Sequence, residues 1–258
     1  MDTGKRPPVL LIAGVDSGGG AGLTADVITA HDLGCWPLPC ATALTAQSLQ
    51  RVAGVKDADA ELFKVTLKTA RRDWERIAAV KIGLVTSAAI LEETLRFLTT
   101  DLPDAPLVWD PVLTATAGRL DSADLHTALA RLLPRVTVFT PNLTEALELS
   151  GWTWKRLLED GIAALGRHFL NLRARAVLIK GGHLPPGQSV PGLMAADTRE
   201  PSNAPRWAGA EFEEDAAPAP EVITDYFLSP ALNCALSLPR VPGEGAHGGG
   251  CGLSTALA

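Results

Sequence analysis

The residues best suited to chemistry lie in the stretch His247-Gly248-Gly249-Gly250-Cys251-Gly252-Leu253-Ser254. Three consecutive glycines turn a backbone without Cβ clashes, and Leu253, Thr255, Ala256 and Leu257 after them can enter a helix. The N–H groups of Gly248, Gly249, Gly250 and Cys251 would then converge at the positive end of a helix dipole. Such a point suits a phosphate or the charge that develops during its transfer. Cys251 would sit in the first turn, where a thiol pKa falls below its usual value of about 8.5 and the group can hold or accept a proton beside an anion. The same residues also read as a glycine loop around a buried, inert cysteine.

Two other readings of the glycines fail. Gly243, Gly245 and Gly248 fit G-x-G-x-x-G, but the acid expected about 20 residues later has no place before Ala258. No G-x-x-x-x-G-K-[ST] occurs, so the usual P-loop is excluded.

A second set of polar residues follows short apolar runs: Asp16 after VLLIAGV, Asp110 after LVW, Asn142 with Glu145 after a run ending at Thr140, and Lys180 after AVLI. Each alone is an ordinary turn residue. Their shared position is the stronger signal, because the carboxyl ends of parallel strands line one crevice. Asp26 falls in the first turns of a helical stretch, either as a dipole partner or as a site group.

The elements that must place these residues alternate. Val9–Val15, Trp36–Ala46, Ala78–Val85, Leu107–Val112, Val136–Thr140 and Ala176–Ile179 read as strands. Leu23–Leu33, Leu62–Trp74, Ala88–Thr99, Ser122–Leu133, a helix after Glu145, and Leu157–Leu172 read as helices. That order predicts an α/β fold with a largely parallel central sheet and helices on both faces. Ten of the 19 prolines lie between Pro185 and Pro242, and Thr198–Pro220 lacks apolar periodicity. The expectation is one domain, 1–258, with a flexible Pro-rich insertion at about 185–220. Glu221–Leu228 and Ala235–Pro239 suit a hairpin or edge strands.

Composition narrows the function classes. A net charge of -6 without a basic run argues against a nucleic-acid or membrane-surface binder. Cys35, Cys40, Cys234 and Cys251 have no C-x-x-C spacing and the five histidines form no H-x-x-x-H pair, which argues against structural zinc. No leader pattern and no run of about 18 apolar residues is present, so the cytoplasm is the expected compartment.

With these motifs in view, the chain resembles the hydroxymethylpyrimidine/phosphomethylpyrimidine kinases of thiamine biosynthesis, a ribokinase-like family related to pyridoxal kinases. The resemblance rests on IAGVDSGGGAGLTAD (Ile12–Asp26), TALTAQ (Thr42–Gln47), VKIGLV (Val80–Val85), WDPV (Trp109–Val112), TPNLTEA (Thr140–Ala146), VLIKGGH (Val177–His183) and HGGGCGLSTALA (His247–Ala258), in the family's order. It implies a three-layer ribokinase-like fold and transfer of the γ-phosphoryl of ATP to a primary alcohol or an existing monophosphate. Cys251 would stand near the substrate hydroxyl, with Gly248, Gly249 and Gly250 forming the anion hole. Asp26, Gln47, Gly14 and Gly22 would bind the pyrimidine, and Lys180, Asn142 and Asp110 the ATP phosphates. Glu145 and Asp110 would order Mg²⁺. A homodimer is implied. A pyridoxal or pyridoxine kinase and a non-catalytic ligand-binding paralogue are the alternatives. The family usually carries H-G-T-G-C where this chain has Gly249, and its members continue with further helices where this sequence stops seven residues after Cys251. Reduced activity is therefore expected.

Overall fold

The computed structural model describes residues 6–48, 52–113, 122–181, 222–239 and 249–258. The expected insertion at 185–220, together with His183, His247 and Gly248, lies outside the described residues.

The strands are β1 (Pro8–Asp16), β2 (Trp36–Gln47), β3 (Val52–Asp57), β4 (Ala79–Ile82), β5 (Leu107–Trp109), β6 (Val138–Phe139), β7 (Val177–Ile179), β8 (Val222–Leu228) and β9 (Asn233–Pro239). The helices are α1 (Gly22–Asp32), α2 (Ala60–Arg72), α3 (Ala88–Thr100), α4 (Ser122–Leu132), α5 (Leu143–Ser150), α6 (Trp154–Asp160), α7 (Ile162–Asn171) and α8 (Gly249–Leu257), with a 3₁₀ turn at Leu133–Arg135. One nine-stranded sheet has the order β3-β2-β1-β4-β5-β6-β7-β8-β9. From β2 to β7 the pairings are parallel, whereas β3, β8 and β9 add antiparallel margins.

β1 is apolar at every position from Val9 to Val15 because both its faces are covered. Leu10 and Ile12 join a core with Phe139 of strand β6 and with Phe63, Ile90, Leu98 and Phe169 from the layer of α2, α3 and α7. Val9, Leu11 and Ala13 point the other way, onto Leu23 and Ala30 of α1 and near Ala258 at the end of α8. This is the expected three-layer α/β arrangement. In β2, Pro37 and Pro39 pair with β1 in the part of the strand that β3 does not reach, since β3 ends opposite Ala43. Their missing N–H groups fall on an unpaired side.

Two local differences from the sequence reading have physical causes. The stretch expected as one helix from Leu157 to Leu172 is two, because Gly161 takes φ +79°, a conformation no helix continues through. The hairpin partner β3 went unread because Val52–Asp57 offers only the short apolar stretch VAGV, without alternation, and is half-buried or exposed at every position.

Candidate active site at the carboxyl ends of the strands

β1 ends in Asp16, a buried carboxylate that shapes the glycine loop after it. Its Oδ1 accepts from the N–H of Gly18 and its Oδ2 from that of Ala21, both at 2.8 Å. The loop delivers Gly22 at φ +55°, where an added Cβ would lie 2.3 Å from the carbonyl oxygen of Gly14. Only glycine fits that contact. On the neighbouring strand, Gln47 exchanges backbone hydrogen bonds with the Ser17 hydroxyl at 2.8 and 2.9 Å, tying the end of β2 to the loop.

Between them lies a cavity of about 160 Å³. Gly14, Gly22, Gln47 and Cys251, all named from the sequence, line it together with Thr45, Val52, Leu84, Val112 and Lys81, which were not. The volume falls below the few hundred Å³ of a site for a larger ligand, so it suits one small ring and not a nucleotide. Asp26 is absent from the wall. It is completely buried beneath it, accepting from Lys81 Nζ at 2.7 Å on one carboxylate oxygen and from Thr255 Oγ1 at 2.7 Å on the other. Asp26 adjoins the cavity through Lys81, which lines it. The signal for Lys81 was present in the sequence as a lysine inside the apolar strand AVKI.

A second cluster adjoins this cavity. Lys180 Nζ donates to Asp110 Oδ1 at 2.6 Å, and the Ser254 hydroxyl donates to Asp110 Oδ2 at 3.2 Å. A Cβ added at Gly250 would stand 3.0 Å from Lys180 Nζ, so the lysine head rests against the first turn of α8. Asn142 and Glu145 form a capping box on α5: Glu145 N–H donates to Asn142 Oδ1 at 2.9 Å and Asn142 N–H to Glu145 Oε2 at 2.7 Å. The N–H of Gly181 donates to Asp225 Oδ1 at 2.9 Å, which fixes the turn after Lys180.

The phosphomethylpyrimidine kinase family model matches residues 16–258. The chain belongs to this family. It is 34% identical over 96% of its length to a hydroxymethylpyrimidine/phosphomethylpyrimidine kinase of Rhizobium meliloti, covering 80% of that protein. It is 32% identical over 98% of its length to the bifunctional thiamine biosynthetic enzyme TH1 of Arabidopsis thaliana, but spans only 42% of that protein. Among solved structures, a phosphomethylpyrimidine kinase from Clostridium difficile superposes with a TM-score of 0.69 at 28% identity, covering 98% of this chain and 89% of that one. A pyridoxal kinase from Staphylococcus aureus in complex with ADP has a TM-score of 0.74 at 24% identity, covering 98% of this chain and 79% of that one, and shares the fold.

The electrostatics of the two clusters differ from the expectation at Cys251. Burial pushes its thiol above the ordinary range instead of below it, and the nearby Lys81 ammonium and the Gly22 N–H only partly offset this. Burial works to lower Lys81, yet Asp26, Cys251 and Asp110 together hold it above the usual lysine range, so it stays charged. Glu145 is pushed up to about 7, chiefly by burial, against the opposing pull of Lys180 and two backbone N–H donors.

That shift makes stability depend on pH. A carboxyl that holds its proton more tightly when folded contributes stability that is full below its unfolded pKa of 4.5 and is lost as pH rises through about 7. The contribution at stake is about 3 kcal/mol. Urea midpoints at pH 5 and pH 8 should therefore converge in Glu145→Gln and diverge in the parent chain. Parallel behaviour of the two would contradict the buried-carboxyl account.

Proposed function

We propose that this chain transfers the γ-phosphoryl group of ATP to the hydroxymethyl group of 4-amino-5-hydroxymethyl-2-methylpyrimidine and then to the resulting monophosphate. One observation carries the reading: successive residues at the start of α8 serve both clusters, Gly250 against Lys180 and Cys251 in the wall of the ring-sized cavity. Donor and acceptor sites thus meet at one helix N-terminus, where backbone N–H groups favour a phosphoryl group in transit.

In this reading the Gln47 amide, at once donor and acceptor, pairs with the aminopyrimidine edge. Gly14 and Gly22 let the ring approach bare backbone. Cys251 accepts the proton of the reacting hydroxyl, and the N–H groups of Gly249, Gly250 and Cys251 at the start of α8 form the anion hole. Lys180 exchanges its contact with Asp110 for an ATP phosphate. Asn142 holds Glu145 through the capping box, and Asp110 and Glu145 face the phosphates.

Those two carboxylates fit Mg²⁺, because hard oxygen donors in one polar crevice suit a cation that keeps several waters and needs few protein ligands. When bound, Mg²⁺ neutralises phosphate charge. Among the described residues no group of three or more His, Cys, Asp or Glu side chains is placed to hold a metal ion. A homodimer in the cytoplasm belongs to the same proposal, supported by the family relationship. Among the described residues no helix is long and apolar enough to cross a membrane.

Calorimetry tests the pocket. Gln47→Ala should weaken pyrimidine binding by about 1 to 3 kcal/mol, since ring donors lose a buried partner, while ATP binding is unchanged. Equal pyrimidine affinity in both proteins would remove the substrate from this cavity.

A further inference from the structure

Lys81 is buried, charged and lines the ring cavity, yet the reaction described above gives it no task. Gly83 leaves room for its head, since a Cβ there would stand 2.9 Å from Lys81 Nζ. The lysine is fixed by Asp26 at 2.7 Å, and Asp26 by Thr255, also at 2.7 Å. Thr255 follows Cys251 by four residues on α8, one helical turn, so the two lie on the same face.

We propose that Lys81, Asp26 and Thr255 are a positioning unit acting through Cys251. The ammonium stabilises the Cys251 thiolate, Asp26 aims the ammonium, and Thr255 locks the register in which α8 presents the sulfur. The proposal rests on the reading of Cys251 as proton acceptor. In that step the substrate O–H bond breaks and its proton passes to the thiolate sulfur. The substrate oxygen bonds to the γ-phosphorus, and the bond from that phosphorus to its bridging oxygen breaks to leave ADP. A thiolate in a buried site needs a counter-charge. Lys81 on β4 and the Gly22 N–H on α1 favour it, while burial, Asp110 after β5 and Asp26 on α1 oppose it. Lys81 is the cation among these groups.

The test is the pH dependence of Cys251 alkylation by iodoacetamide, followed on its own peptide by mass spectrometry. Lys81→Met should shift the midpoint upward by about one pH unit or more, a tenfold loss of thiolate at a given pH. Lys81→Met with Asp26→Asn removes both charges together; because Lys81 favours the thiolate more strongly than Asp26 opposes it, a smaller upward shift is expected from this pair and keeps the test open if the single variant does not fold. Thr255→Val should shift it in the same direction, and Thr255→Ser should restore it. An unmoved midpoint in a folded paired variant overturns the proposal.

Turnover gives a second reading. The paired variant should lower kcat in the parent chain but cause no further loss in a Cys251→Ala background. Additive losses would mean that Lys81 acts independently of the thiol, contrary to the proposal. Should Cys251→Ala turn over like the parent, the proton-acceptor reading falls. The alkylation midpoint then decides the electrostatic link by itself: shifted, it supports the link, and unmoved, it overturns it.

Discussion

Cys251→Ala is expected to lower kcat by about 10²- to 10⁴-fold, the usual worth of a positioned acid or base, while pyrimidine affinity stays close to that of the parent. The substitution keeps the Cβ and the backbone N–H at the start of α8, so the proposed anion hole survives and the proposed proton acceptor is lost. Because burial lifts the thiol above its ordinary range, the active thiolate is the minor form at neutral pH. The parent kcat should therefore climb as pH rises toward the thiol pKa and fall as pH drops below it. That climb should vanish in the variant. Single-turnover rates across pH, with calorimetry for binding, measure both effects. A variant with the parent's rate and the same alkaline rise would show that another group takes the proton.

Lys180→Met is expected to lower kcat/KM for ATP by about 10³-fold, within the range for removing electrostatic stabilisation of a transferring group. It should also cost stability. Lys180 is largely buried and Asp110 almost completely so, and losing one partner strands the other. The cost of breaking such a pair is about 3 kcal/mol, at the low end for buried pairs because the lysine keeps some access to solvent. Lys180→Met with Asp110→Asn should regain much of that stability and none of the activity. Urea denaturation and ATP kinetics on the two variants separate the contributions. A single variant as stable as the parent and saturating at the same ATP concentration would contradict the clamp.

Much of this site was legible because its residues follow apolar strands. Asp16, Asp110, Asn142 and Lys180 each close a strand, and parallel strands carry their ends to one edge of the sheet. The Asn142-x-x-Glu145 spacing was readable too, though its first meaning is a capping box that any helix start can carry. What could not be read are contacts distant in sequence. Asp26 lies 55 residues from Lys81 and 229 from Thr255, so no local pattern shows that this acid faces a lysine and a C-terminal helix instead of a ligand. The titration of Cys251 was misjudged for the same reason. A helix N-terminus acts locally and can be inferred from glycines, whereas the burial that outweighs it comes from strands assembled across the whole chain. β3 was hidden because an edge strand buries no position fully and its VAGV stretch is too short to show a strand's alternation.

In the proposed function a ring-sized cavity and a phosphate clamp share the start of α8, so that a pyrimidine alcohol can take the phosphoryl group. The most direct measurement is kcat/KM with ATP and Mg²⁺ for the hydroxymethylpyrimidine and for pyridoxal, with product mass read for each. The account predicts a phosphorylated pyrimidine, a second phosphorylation of that product, and a kcat/KM above that for pyridoxal by about 10²-fold, roughly the worth of a few well-placed ring contacts. Equal or greater efficiency with pyridoxal, or ATP consumption without any phosphorylated pyrimidine, would contradict it.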